Sequence, residues 1–334
     1  MKRILIIKTG ALGDIVRTTY ILPGIAKKYG EVCIHWVVKK PGEELIRCNP
    51  YIDKFFDIET LQGLSSYYDL VISLDDEIKS ASITNMVRFE RVVGLFLEHG
   101  KLKYTSDSDL WFDMGLLSKF GKQKADILKK KNTMSHTEIF EKILDIDIRL
   151  PYFNNDLDAL RLAELEYSSV AFNIGINPCA GERWPSKELS TVEFRNLLNV
   201  LTSERATAIN SRNIIVNLYG INDRDEYNEV AKSFNHNVIM RDTSSSLQVF
   251  AAHIKQCDYF ISSDSLALHL AISQGVPSCS FYSPTSSAEI DTFDSGVKVV
   301  SLDDDYCSYM PDAKNTSITS ERIYNEMITH IAKV

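Results

Sequence analysis

The first hundred residues alternate short, unbroken aliphatic runs with longer stretches of helical period. Arg3 to Lys8 reads as a strand over 3–8. A run with no polar alternation suits a central parallel strand covered on both faces. Gly10 to Gly13 forms a Gly-x-x-Gly turn, and a helix is predicted from about Asp14 to Tyr29. Val32 to Val38 predicts a second strand, followed by a short helix closed by Asn49 and Pro50. Further strands are predicted at 54–58, 70–74 and 91–95. This rhythm predicts a doubly wound α/β sheet.

Residues 98–134 lose the rhythm, because aromatics and lysines mix there with polar residues. An inserted helical or loop segment is expected. A helix resumes at 136–145, and Pro151 with the polar run Asn154, Asn155, Asp156 marks a linker. A second alternating series starts near Val170, with strands at 171–177, 213–218, 258–262 and 278–282. Helices are predicted at 190–203, 223–234, 246–256 and 265–274. The economical architecture is two Rossmann-like domains facing a central cleft, 1–160 and 161–318. A last helix within 319–334 is free to cross back to the first domain.

Composition narrows the function classes. The chain has 334 residues, enough for two domains at about 150 each. It is 44% hydrophobic, which excludes a disordered chain. Lys plus Arg is 37 against 45 for Asp plus Glu, a net charge of −8, so no nucleic-acid partner is expected. The six cysteines form no C-x-x-C pair and read as buried thiols in a reducing compartment. No apolar run approaches the ~18 residues of a membrane span. The opening aliphatic run is too short for a signal peptide, so a cytoplasmic protein is expected. Lys119, Lys122, Lys124, Lys129, Lys130 and Lys131 crowd one short stretch. The plainer reading is a solvated helix face. The sharper one is contact with an anionic acceptor or a peripheral contact with an anionic membrane surface.

Three segments could carry chemistry. Lys8 to Asp14 lies where a strand's carboxyl end meets a helix start, the edge where ligands collect in open α/β sheets. Gly10 and Gly13 let a backbone approach closely, and the amides at the helix start attract anions. The full G-x-G-x-x-G of dinucleotide sites is absent. Asp14 has two readings, a helix cap or a carboxylate that takes a proton from an acceptor hydroxyl. Capping would lower its pKa and partial desolvation would raise it. The second segment is Asn177 to Lys187. It is a solvated loop or, through Lys187 with Arg183, a clamp on a diphosphate whose charge grows as a glycosidic bond breaks.

The third segment is Ile261 to Ala271, again at a strand-to-helix junction. Ser265 and the amides after it could hold a phosphate, with His269 one turn further along the same helix. The plainer reading is a capping Asp264 and a packed histidine. Thr285 closes the next strand and would line the same edge. No metal site is expected, since H-x-H, H-E-x-x-H and paired Cys/His spacings are absent. Asp-x-Asp recurs, as at Asp107/Asp109 and Asp303/Asp305, at the frequency of an acidic chain. A hydrolase has no nucleophile elbow to stand on.

Together the three segments resemble glycosyltransferase family 9, the lipopolysaccharide heptosyltransferases. The run Ile4 to Asp14 looks like that family's strand, Gly-Asp turn and helix. Asn49 to Asp53, Tyr68 to Ile72, Asn177-Pro178, Trp184 to Lys187, Asp264-Ser265, His269 to Ala271 and Gly275 to Pro277 follow in the family's order. The resemblance implies a GT-B fold and metal-independent, inverting transfer from ADP-heptose, with no cofactor beyond that donor. By position it implies Asp14 as the base, Lys187 on the donor phosphate, and Asp264, Ser265 and His269 in the donor site. The family's ribose-contacting acid falls just after Gly220, which makes Asp223 the candidate. Gly13, Arg183 and Thr285 complete the substrate-binding set. The chain departs from the family at Leu266, where a glycine is usual, and in having Trp184-Pro185 before Lys187 instead of after it. The expected partners are a nucleotide-sugar donor and a glycan or lipid-linked glycan acceptor, at a cytoplasmic site peripheral to the inner membrane. The alternatives are a nucleotide-sugar epimerase on the same scaffold and a catalytically degenerate glycan-binding or assembly module.

Overall fold

Parallel pairing of buried aliphatic strands builds two separate sheets. The structure is a computed structural model and describes residues 1–181, 184–203, 212–234 and 236–333. The chain divides into Met1–Asn154 with Ala288–Asp291, and Asn155–Ser287 with Thr292–Val334. The division falls inside the polar run 154–156, ahead of residue 160.

The first unit runs β1 (Lys2–Ile7), α1 (Leu12–Thr18), α2 (Ile21–Tyr29), β2 (Val32–Val38), α3 (Lys40–Ile46), β3 (Lys54–Asp57), β4 (Tyr67–Ser73), α4 (Ile78–Met86) and β5 (Arg88–Glu98). It continues through β6 (Lys101–Tyr104), α5 (Asp109–Phe112), α6 (Lys122–Lys131) and α7 (His136–Leu144). The sheet order is β3-β2-β1-β4-β5-β6, parallel except for β6 against β5. Ile4 to Ile7 are fully buried in the central β1, as its unbroken aliphatic pattern requires. The order reverses at β1, so the carboxyl ends of β1 and β4 form a topological switch point.

The helix predicted over 14–29 is two helices. Pro23 has no N–H for the Thr19 carbonyl, so the turn closes instead through Leu22 N to Thr19 O at 3.1 Å. The irregular 98–134 stretch completes β5, turns back as β6, and adds α5 and α6. Its Trp111 donates to the Leu74 carbonyl at 3.2 Å and packs on Phe140 of α7. Ser135 and Glu138 form a reciprocal capping box that starts α7, and Ile139, Phe140, Ile143 and Leu144 bury one face of it.

The second unit runs α8 (Leu157–Glu164), β7 (Phe172–Asn177), α9 (Thr191–Leu201), β8 (Ile214–Leu218), α10 (Asp225–Lys232) and β9 (Val238–Met240). It continues with α11 (Leu247–Lys255), β10 (Tyr259–Ser263), α12 (Leu266–Ser273), β11 (Ser278–Tyr282), β12 (Gly296–Val300) and α13 (Ser320–Ile331). The order is β12-β11-β10-β7-β8-β9, all parallel. This repeats the first unit's strand order, with the edge strand β12 parallel where β6 is antiparallel, and sets a second switch point between β7 and β10. The short strands β9 and β12 fall outside the predicted strands, because three to five half-buried residues at a sheet edge carry little pattern. The last helix, which the sequence left free to cross back, packs α13 on α9, β11 and β12 of its own unit. Ile323 and Met327 are buried in that core.

All six cysteines are free thiols, and Cys179, Cys257, Cys279 and Cys307 are buried. Among the described residues, no helix is long and apolar enough to cross a membrane.

Candidate functional site

The carboxyl edge of the first sheet is organised by Asp75, a residue that motif reading passes over. It lies two residues beyond β4 and is 3% exposed. Its Oδ2 accepts from Thr9 N at 2.7 Å, the Thr9 hydroxyl at 2.6 Å and the Ser80 hydroxyl at 2.9 Å. Its Oδ1 accepts from Lys8 Nζ at 3.0 Å and Gly10 N at 3.2 Å. The turn after β1 does gather amides around an anion, as its glycines suggest, but the anion is the chain's own carboxylate. Burial works against that charge. The Lys8 ammonium and the bonds from Thr9 outweigh it and hold Asp75 below the usual carboxylate range.

Asp14 is the third residue of α1, not its cap. The cap position is Ala11, whose carbonyl accepts from Asp14 N at 2.8 Å. Gly13 is the second helical residue and half-buried. The Asp14 carboxylate, 29% exposed, bonds the Arg17 guanidinium through Oδ1 and lies 3.5 Å from Lys8 Nζ through Oδ2. Burial again opposes ionisation, and the charges of Arg17 and Lys8 overcome it, so Asp14 sits far below the ordinary carboxylate range. Lys8 is pulled down by burial and up, by more, by Asp14 and Asp75. Arg17 also bonds His136 Nδ1 through its Nη1. His136 Nε2 stands 3.5 Å from Glu289 Oε2, and its backbone N donates to the Glu289 carbonyl at 3.0 Å. Trp111 packs edge-on against the His136 ring, with centroids 4.8 Å apart.

The second switch point gathers five residues that the sequence singled out. Lys187 Nζ donates to the Asp264 carbonyl at 2.9 Å and to Asp264 Oδ2 at 2.7 Å. The Thr285 hydroxyl donates to the same Oδ2 at 2.9 Å, and His269 Nε2 lies 3.2 Å from Oδ1. Asp264 is therefore not the helix cap. Ser265 holds that position, but its hydroxyl meets Ser262 Oγ at 3.0 Å and Asn177 Nδ2 at 3.3 Å and caps no amide. His269 is buried, as the plainer reading had it, yet it faces Asp264. Gly220, at φ +68°, closes the turn after β8 where a Cβ would come within 2.4 Å of Asn177 Oδ1.

Two predicted residues stand apart from this cluster. Asp223 is exposed in the turn after β8 and takes part in none of the hydrogen bonds just given. Arg183 lies outside the described residues. Asp75, His136, Trp111 and Glu289 are absent from the sequence-derived set. Asp75 had one signal, an acid just past a buried strand at the edge where Asp14 also lies. His136 had only the Ser135–Glu138 cap beside it. Glu289 had none, since it comes from the far half of the chain. Among the described residues, no group of three or more His, Cys, Asp or Glu side chains is arranged to hold a metal ion.

Two switch-point sites of this kind, on sheets of matching order, invite comparison with known proteins. The model of glycosyltransferase family 9 (heptosyltransferase) matches residues 59–320. The chain belongs to glycosyltransferase family 9. A lipopolysaccharide heptosyltransferase 1 from Campylobacter coli is 30% identical over 97 residues, 25% of this chain and 28% of that protein. The chain thus spans little more than a quarter of that relative's length. Among solved structures, the family 9 glycosyl transferase from Veillonella parvula DSM 2008 superposes with a TM-score of 0.70 at 16% identity. That match covers 100% of this chain and 98% of the other. The E. coli ADP-heptose lps heptosyltransferase II gives 0.68 at 17%, over 100% and 99%. The E. coli heptosyltransferase WaaC with ADP gives 0.63 at 15%, over 98% and 99%. At such identities these matches speak to the fold, and the two mostly parallel α/β sheets are the GT-B architecture of family 9.

Proposed function

We propose that this family 9 protein is an inverting, metal-independent glycosyltransferase. It moves a heptose from ADP-heptose to a lipopolysaccharide-core or related bacterial glycan. The observation that carries the reading is the largely buried group of Lys187, Asp264, Thr285 and His269 at the second unit's switch point. A cation held there, beside the uncapped first turn of α12 and Ser265, suits a departing diphosphate. Asp14 takes the proton of the acceptor hydroxyl as that oxygen bonds the anomeric carbon. The bond from the anomeric carbon to the diphosphate breaks, and ADP leaves with its electron pair. Asp14 is ionised at neutral pH, as a base must be. Its low proton affinity is matched to a hydroxyl that grows acidic only as the new bond forms.

Calorimetry with ADP beside an ADP-release assay tests this. Asp14→Ala keeps ADP affinity and loses transfer; undiminished turnover in the variant would remove Asp14 from the mechanism. Lys187→Ala weakens ADP binding, and equal affinity would refute its role.

The acceptor side of the reading includes an anionic lipid surface. Lys124, Ile127 and Lys131 recur at helical spacing along one exposed stripe of α6, with Lys130 beside them, and Phe120 is exposed in the turn before the helix. Phe120 is 52% exposed and Ile127 47%. Lysines flanking exposed apolar side chains suit the interface of an anionic bilayer.

A further inference from the structure

We propose that His136 is a positioning residue for Asp14, acting through Arg17 as the neutral tautomer with its proton on Nε2. The inference rests on the reading of Asp14 as the base.

The tautomer follows from the hydrogen-bond inventory. Arg17 carries only donors and stays charged, so His136 Nδ1, which bonds Arg17 Nη1, must be the acceptor. The ring proton then lies on Nε2, which faces the Glu289 carboxylate at 3.5 Å. Glu289 fixes the same residue a second way. Its carbonyl takes the N–H of His136, the first residue of α7, which has no partner within the helix. The Trp111 ring packs against the imidazole from α5, and Trp111 is itself tied to the Leu74 carbonyl. His136 is thus fixed by main chain, by carboxylate and by ring contact.

The consequence reaches Asp14 through the guanidinium fork. Nη1 of Arg17 is held by His136, and Nη2 bonds Asp14 Oδ1. A planar fork with one arm fixed can present the other in few orientations. Lys8, held by Asp75, stands 3.5 Å from the second carboxylate oxygen. Asp14 therefore meets two cations, each bonded in turn to a second group, Arg17 to His136 and Lys8 to Asp75.

Protonation of His136 would reverse this. Nδ1 would become a donor facing a donor, with two cations in contact, and Arg17 would have to let go. The groups facing His136 are Arg17 and Asp14 from α1, Glu289 from the 288–291 stretch and the Trp111 ring from α5. Lys129 of α6 lies 4.0 Å from Glu289. Burial first, and then the Arg17 charge, favour the neutral ring; Glu289 and Asp14 oppose them only in part.

The test uses the full chain, with release of ADP from ADP-heptose, water serving as acceptor, as the turnover probe. Nitrogen-15 NMR of histidine-labelled protein at neutral pH should show His136 protonated on Nε2 and bare on Nδ1. His136→Ala should lower kcat by about 10- to 100-fold, the cost of a misplaced catalytic group, with little change in KM for the donor. Its Asp14 carboxyl, followed by carbon-13 NMR, should titrate nearer the ordinary carboxylate range. His136→Gln keeps an acceptor for Arg17 and a donor for Glu289 but cannot titrate. It should retain most of kcat and lose the acid limb of the pH profile. A proton on Nδ1 in the folded protein, or a His136→Ala variant with unchanged kcat and unchanged Asp14 titration, would overturn the proposal. Full turnover in Asp14→Asn would instead overturn the base reading, and the nitrogen spectrum would still report whether His136 accepts from Arg17.

Discussion

Lys187 is bonded to Asp264 twice, once through the backbone carbonyl and once through the carboxylate, so one ammonium fixes both the path of the chain after β10 and its charge. Each side chain is 13% exposed. Removing one partner of a buried ion pair costs more than the pair contributes, because a charge is left behind. Lys187→Ala should therefore destabilise the second unit by about 3 kcal/mol as well as weaken ADP. Urea unfolding of Lys187→Ala, Asp264→Asn and the double variant checks this. The double variant should recover part of the loss, and strict additivity would mean that the two residues are not coupled.

Asp75 should be the more damaging loss in the first unit. Asp75→Ala strands the buried Lys8 charge and the amides of Thr9 and Gly10 together. A cost of about 3–5 kcal/mol is expected. ADP affinity should be kept, because the proposed donor site lies on the other unit. A variant with wild-type stability would contradict the hub.

Acid should loosen the fold in two stages. His35, His136, His253 and His330 all have lowered pKa values, with burial the first cause in each. The unfolded histidines take protons near pH 6.5, before the folded ones do. Stability is thus fullest above that pH and falls as the pH drops below it. Asp14 and Asp75, whose pKa values are depressed, add a second loss below about pH 4. Unfolding midpoints measured from pH 8 to about pH 2 should show both stages, and His136→Gln should make the first one smaller. A flat profile would refute the assignment.

Two glycines with positive φ separate backbone strain from collision. Gly94 has φ +110°, and a Cβ there would lie 1.9 Å from the Ser73 carbonyl oxygen. Gly94→Ala should cost about 4 kcal/mol or more, among the largest single-site effects. Gly100 has φ +73° with nothing within 4 Å. Gly100→Ala should cost only about 1–2 kcal/mol, the left-handed penalty alone. Thermal midpoints of the two variants, compared side by side, decide the matter.

The α6 stripe can be read with lipid vesicles. Sedimentation with phosphatidylglycerol vesicles should capture the protein at low salt and release it at high salt. Replacing Lys124, Lys130 and Lys131 with Glu together should abolish capture, while ADP affinity stays unchanged. Equal binding to neutral phosphatidylcholine would argue against the charge-based reading.

Local pattern carried much of the backbone. The strands at Val32–Val38 and Ser278–Tyr282 coincide with their predicted spans. The two βα series follow from aliphatic runs whose period is set by neighbours in sequence. Asp14, Lys187, Asp264, His269 and Thr285 could be picked out for the same reason, since each lies close to a strand end or a helix start. Their partners could not. Thr9 meets Asp75 across 66 residues, and Arg17 meets His136 across 119. Such pairings depend on which strands become neighbours in the sheet and which late segment returns to an early one. No local periodicity encodes that order. The sequence by itself determined where strands and turns fall and which charges lie beside them. The tertiary structure alone decided that the glycine turn is filled by Asp75 and that Asp14 is gripped by two anchored cations, because strand order and long-range packing choose each charge's neighbour.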